Sequence, residues 1–209
     1  VVTDLSSSMN YGQKKTKLSL AAEIATVITN SATSKSDALG FIGFNDHTET
    51  NWWSPLSYRP HKTRLLIDRL KQHNPQSSGH QGIKNVFRIL PNDHTLIFLI
   101  SDFHMPKIDI EYSLSKLTKH TLVPIILWNK SEYQDLPRFG IVSVADPESG
   151  QEKTIFLRKK MLTKIKNTYK KRKDELEKLF LKYNSPTFFV NDDFIPLEMT
   201  KYFNEHYHA

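Results

Sequence analysis

The sequence predicts an α/β fold, a three-layer, doubly wound and mostly parallel sheet with helices on both faces, and three observations carry that prediction. Residues 37–44, 95–102 and 121–128 are apolar at nearly every position, as strands buried on both faces are. Segments of roughly a dozen residues lie between them, with apolar positions recurring at the helical spacing of three and four. The two kinds of segment alternate along the chain, which is the pattern of right-handed βαβ units.

A chain of 209 residues suits one domain. Its 38% hydrophobic and 11% aromatic content describes a globular rather than a disordered chain. No apolar run approaches the length of a membrane span and no signal peptide is visible, so a cytoplasmic protein is expected. The absence of cysteine excludes disulfides and thiolate metal sites, leaving oxygen or imidazole to hold any metal. The net charge of +7 raises nucleic acid or an acidic protein as partners. The excess is local: residues 158–173 hold nine Lys or Arg and no acid, and Asp174, Glu175 and Glu177 follow at once. A solvated helix face is the commoner meaning of such a run, so nucleic acid is not the expected partner.

In chain order, residues 1–3 end a buried strand, and residues 17–29 form a helix on the stripe Leu18, Ala21, Ala22, Ala25 and Ile28. Strand 37–44 turns at Asn45-Asp46 into residues 49–57, an antiparallel edge strand carrying Trp52 and Trp53. Residues 61–72 form a second helix with Leu65, Leu66, Arg69 and Leu70 toward the core, broken at Asn74-Pro75. A polar loop, residues 76–82, opens a third helix on Ile83, Val86, Phe87 and Leu90, which Pro91-Asn92-Asp93 stops. Strand 95–102 is the most apolar segment and ends in Asp102; helix 108–119 and strand 121–128 follow. Pro124 inside that last strand lacks a ladder donor and favours an edge. Residues 139–144 and 154–157 flank a turn at 146–150 and read as a hairpin. The long helix 158–183 carries Leu162, Ile165, Tyr169, Leu176, Leu179 and Tyr183, with Arg172 covering or interrupting the stripe. Strand 186–190 and helix 197–207 close the chain, and no internal repeat is present.

Asp4, Ser6 and Ser8 present one carboxylate and two hydroxyls at alternate positions after Val1-Val2. Two readings are open for them. They are the residue types that cap a helix, such as one starting near Thr16. They are also hard oxygen donors that suit Mg2+ or Mn2+. In a parallel sheet Asp4 and Asp102 leave the same edge, where such sheets bind ligands, and this convergence favours the cation. With few formal charges around it the ion stays electrophilic and accepts an acidic group from outside.

The order Asp4-Leu5-Ser6-Ser7-Ser8-Met9, helix 17–29, Ala38-Leu39-Gly40-Phe41-Ile42 and Leu99-Ile100-Ser101-Asp102-Phe103 resembles a von Willebrand factor A domain with its metal-ion-dependent adhesion site. More narrowly, Ile100-Ser101-Asp102-Phe103, Val144-Ala145-Asp146-Pro147-Glu148-Ser149-Gly150 and the long basic helix with its final strand resemble the bacterial proteins of unknown function that accompany MoxR-type AAA+ ATPases. The resemblance implies that Asp4, Ser6, Ser8 and Asp102 surround the ion, the two aspartates often through water. It also implies a threonine before the third helix. That position falls on Gln81, whose carbonyl oxygen can ligate, with Ser77 or Ser78 as substitutes if the loop is shifted. The first strand of the family is longer than Val1-Val2-Thr3, so an upstream segment is expected. The implied function is a non-enzymatic module that binds a partner's Asp or Glu, working with a MoxR-type ATPase in assembly or maturation of a complex.

Two further classes stand beside it. One is a nucleic-acid binder using residues 158–173; the other is a metal-dependent phosphoester hydrolase with His104 or His80 as base. The nine histidines show no close helical pairing of the zinc-enzyme kind, and His206 and His208 sit at a frayed terminus. No Gly-x-Ser-x-Gly elbow surrounds Ser6 or Ser8, and loop 76–82 lacks a phosphate-binding Gly-Lys-Ser/Thr. Trp52, Trp53 and Trp128 are read as packing residues, with a partner surface as the alternative for the adjacent pair Trp52-Trp53 at the edge.

Overall fold

In the computed structural model, which describes residues 1–12, 14–137, 140–145 and 152–207, six strands form one sheet in the order β3-β2-β1-β4-β5-β8. They are β1 (Val2–Asp4), β2 (Leu39–Phe44), β3 (Thr48–Ser57), β4 (Leu96–Ser101), β5 (Thr121–Trp128) and β8 (Phe188–Asn191). All neighbours run parallel except β3, which pairs antiparallel with β2 at the edge, as expected. Strands β6 (Gly140–Ala145) and β7 (Glu152–Leu157) pair antiparallel as a separate hairpin. The turn expected at 146–150 lies outside the described residues.

Five helices accompany the strands: α1 (Lys17–Ser34), α2 (His61–Leu70), α3 (Lys107–Lys116), α4 (Lys159–Leu181) and α5 (Pro196–His206). The two-residue period of β5 divides the core between the faces of the sheet. Val123, Ile125 and Leu127 pack with residues of α1, α2 and α5, such as Ile24, Leu70 and Met199. Leu122, Ile126 and Trp128 pack with Ile110 of α3 and Leu176, Leu179 and Phe180 of α4. Phe180, absent from the stripe read in the sequence, is fully buried and meets Phe103 edge-on at 5.1 Å.

The short β1 sits at the centre, with Val2 opposite Ile42 on one side and Leu99 on the other. From β1 the chain passes to α1 on one face, and from β4 it passes to α3 on the opposite face. The carboxyl ends of β1 and β4 therefore flank the point where the winding reverses, which opens a crevice there.

Four sequence expectations change. The segment after loop 76–82 is a 3₁₀ helix, Gln81–Arg88. Its buried apolar residues, Ile83 and Val86, are three apart, which aligns them on a helix of three residues per turn. Helix α2 buries Thr63, Leu66, Ile67 and Leu70, whereas Leu65 is 70% exposed. Pro124 lies in an interior strand opposite Leu99, one residue before the stretch 125–128 that β8 covers, so β5 is locally an edge there. The cap of α1 is Thr16, whose hydroxyl accepts the Ser19 N–H at 3.1 Å, and not the Asp4 to Ser8 turn. No described helix is long and apolar enough to cross a membrane.

The α2 assignment has a direct check by urea denaturation. Leu66→Ala, which empties a buried site, is expected to cost about 2–5 kcal/mol, and Leu65→Ala on the exposed side no more than about 0.5 kcal/mol.

Candidate metal centre

Asp4 is the last residue of β1, and Asp102 follows the last residue of β4. The two strands are neighbours, so Ser101 Oγ reaches across and donates to Asp4 Oδ2 at 2.6 Å. The other oxygen, Oδ1, accepts the Ser6 N–H at 2.9 Å and turns the chain out of the strand. Leu5 N–H donates to the Phe44 carbonyl at 2.7 Å, fixing the same turn to β2. Ser6 Oγ and Ser8 Oγ then lie 3.2 Å apart, both buried. The polar loop docks beside them through Ser7 N–H to the Ser77 carbonyl, 2.9 Å.

The dominant charge in the crevice is one the sequence reading missed. Lys17, the first residue of α1, is 1% exposed, and its Nζ donates to Asp102 Oδ2 at 2.9 Å and to Glu132 Oε1 at 2.6 Å. Glu132 is held by a capping box at the 3₁₀ helix Lys130–Glu132, where its Oε2 accepts the Asn129 N–H at 2.8 Å. Both residues left a signal. Lys17 stands four before Ala21 on the buried stripe of α1, and Asn129-x-x-Glu132 is a capping pattern.

The turn after Asp102 is equally fixed. Phe103 adopts a left-handed conformation at φ 52°, and Asp102 Oδ1 accepts the His104 N–H at 3.2 Å. Trp128 Nε1–H donates to the Asp102 carbonyl at 2.9 Å. Arg172 of α4 donates to the carbonyls of Phe103 and Met105 at 2.6 and 2.5 Å. Its role is therefore to tie α4 to this turn, which explains a cation within the apolar stripe. The His104 ring lies parallel to Trp128, with centroids 6.0 Å apart.

These surroundings divide the two aspartates. Burial, reinforced by the Asp102 charge, pushes the Asp4 carboxyl up to about 6. Burial also acts on Asp102, but the Lys17 ammonium, aided by His104, outweighs it and holds that carboxyl well below the usual range. Lys17 pays for its own burial through Asp102 and Glu132, which raise its pKa.

The Ser6 and Ser8 hydroxyls bond each other, Ser6 also reaches Asp4, and each hydroxyl oxygen has two lone pairs with which to accept. Every carboxylate oxygen of Asp4 and Asp102 accepts a hydrogen bond, and Asp4 Oδ2 and Asp102 Oδ1 retain a lone pair for a cation-bound water. In type these four residues fit Mg2+ or Mn2+. Among the described residues no group of three Asp, Glu, His or Cys is placed to hold a metal, so the hydroxyls and water would complete the shell. Gln81 is placed elsewhere: its Nε2 faces Asp109 Oδ2 at 3.4 Å, beside His80 at 3.1 Å and Lys84 at 2.7 Å. Ser77 turns its hydroxyl to the Asp46 carboxylate and meets the cluster only through its carbonyl.

Fold and site together define an α/β protein with a polar crevice at the carboxyl edge of a mostly parallel sheet. Residues 1–177 match the family described as "Protein of unknown function DUF58", and the chain belongs to that family. Its fold is similar to that of a conserved hypothetical protein BatB from Bacteroides thetaiotaomicron, at 11% identity and TM-score 0.54, covering 98% of this chain and 94% of that one. It is also similar to an aerotolerance-related membrane protein from Bacteroides fragilis NCTC 9343, at 14% identity and TM-score 0.55, covering 98% and 95%. Comparison with curated proteins returned no match.

Lys17→Met leaves the buried Asp102 and the partly buried Glu132 without their cation and is expected to cost about 3–5 kcal/mol in urea denaturation, part of which Asp102→Asn restores in the double variant. The pH dependence has an opposite sign for the two aspartates. Asp4, with a folded pKa raised to about 6 from 3.8, takes up a proton on folding. Its contribution is full below 3.8 and is lost as the pH rises through about 6. In chelator, stability relative to Asp4→Asn is therefore expected to fall between these values. The contribution of Asp102 is instead lost below 3.8, as pH falls.

Proposed function

We propose that this chain is a non-enzymatic protein-binding module, in the manner of a von Willebrand factor A domain, whose crevice holds Mg2+ or Mn2+ and accepts a carboxylate from a partner. The observation that carries the reading is the buried Ser6 and Ser8 hydroxyl pair, 3.2 Å apart, flanked by Asp4 and Asp102 at the winding reversal of the sheet. A bound cation supplies the electrophilic point that an acidic side chain approaches.

The chain's own residues prepare that approach. Ser101 orients Asp4, and the Ser6 N–H fixes the turn that aims both hydroxyls. Lys17 offsets the charge of Asp102, so an incoming carboxylate meets less repulsion than two free acids would impose. Hydrolysis by a serine nucleophile is disfavoured because Ser6 and Ser8 bond to one another and not to an imidazole base. The resemblance in sequence extends the reading to a cytoplasmic partner complex assembled or matured with a MoxR-type AAA+ ATPase.

Calorimetric titration of Mg2+ and Mn2+ tests the cation. Asp4→Ala and Ser8→Ala are expected to weaken binding by about tenfold or more, and Gln81→Ala by less than about twofold, since that side chain is turned to Asp109. Equal heats from wild type and Asp4→Ala would refute the reading.

A further inference from the structure

Beside the crevice lies a cavity of about 370 Å³ between the end of β5, β8 and α4. Its floor is aromatic, formed by Trp128, Tyr133, Tyr169 and Phe189, and Lys166, Lys170 and Lys173 stand around its mouth. Trp128 belongs to both places, since its Nε1–H holds the Asp102 carbonyl and its ring lies against His104. The spacing 166, 169, 170 and 173 puts Tyr169 and the three lysines on one side of α4.

Two of these three lysines carry uncompensated charge. Lys166 and Lys170 are exposed and have no acidic partner among the described residues. Lys173 has Glu177 at 3.7 Å and holds its ammonium 4.8 Å above the Phe189 ring. Glu175 is directed to Lys171, away from the cavity lining. The mouth therefore favours an acidic occupant, and the floor an apolar one.

The ring geometry decides which class of molecule fits both. Tyr133 and Tyr169 stack on each other at 4.8 Å and 16°, Trp128 stacks on His104, and Phe189 lies under Lys173. One flat face of each of these rings is thus taken by a neighbour, which leaves fewer platforms for successive bases and disfavours single-stranded nucleic acid. The rings already meet edge to face, Trp128 with Tyr133, Tyr169 and Phe189, and an inserted aromatic side chain extends the same kind of contact. We infer that this cavity docks an acidic segment of a partner protein bearing one aromatic residue, adjoining the point where the partner's carboxylate enters the crevice. The inference rests on the proposed reading of the crevice as a protein-binding site, but the cavity holds its occupant without the cation.

The probe is a short fluorescein-labelled synthetic peptide with one phenylalanine flanked on both sides by glutamates, followed by anisotropy at low salt in chelator with the full chain. Saturable binding is expected. It should weaken by about tenfold or more in the Lys166→Glu/Lys170→Glu variant, and by about tenfold when the peptide phenylalanine is replaced by alanine. Both lysines are exposed, and matching thermal melts establish that the variant folds. The peptide is measured in chelator, so a failed cation titration leaves this result standing. The inference is overturned by absent binding, by equal binding of the charge-reversed variant or of the alanine peptide, or by oligouridylate RNA that competes better than unlabelled peptide.

Discussion

The Lys17 ammonium, taken out of water between Asp102 and Glu132, is the interaction on which the carboxyl edge of the sheet depends. It joins the start of α1, the end of β4 and the turn after β5, three places distant in sequence. Removing one member strands the others as buried charges, so the three must be satisfied together. The start of α1 is fixed by this contact as much as by the Thr16 cap.

Around that ion pair the β4–α3 turn is held by groups that bond its backbone directly. Trp128 and Arg172 take the carbonyls of Asp102, Phe103 and Met105, and the left-handed Phe103 drops its ring onto Phe180. The crevice is thereby built on fixed backbone, the condition for a site whose donors do not rearrange when a ligand arrives. Its two aspartates differ in character: burial keeps Asp4 toward its neutral form, while Lys17 keeps Asp102 ionised.

The same Trp128 carries the crevice over into the aromatic cavity on α4, where three of the nine cations of residues 158–173 stand. Membership of a family of unknown function and a shared fold with BatB from Bacteroides thetaiotaomicron leave the chemistry to be argued from these residues. The cation proposed for the crevice and the lysine-rimmed cavity beside it would together match one kind of surface, an acidic one.

The α/β class, the antiparallel edge at β3 and the apolar runs of β4 and β5 were legible in the sequence because burial on both faces leaves a pattern in each segment alone. Asp4, Ser6, Ser8 and Asp102 were legible because the ends of parallel strands fall on one edge. The direction of a long side chain is different, since competing partners come from remote segments. Only the tertiary structure turned Gln81 to Asp109 and brought Lys17 to Asp102 and Glu132. It also wound Gln81–Arg88 as a 3₁₀ helix and exposed Leu65 while burying Ile67. Local periodicity constrains which residues leave water; which buried polar groups meet is decided by contacts across the fold, and there the cost of an unpaired charge selects the answer.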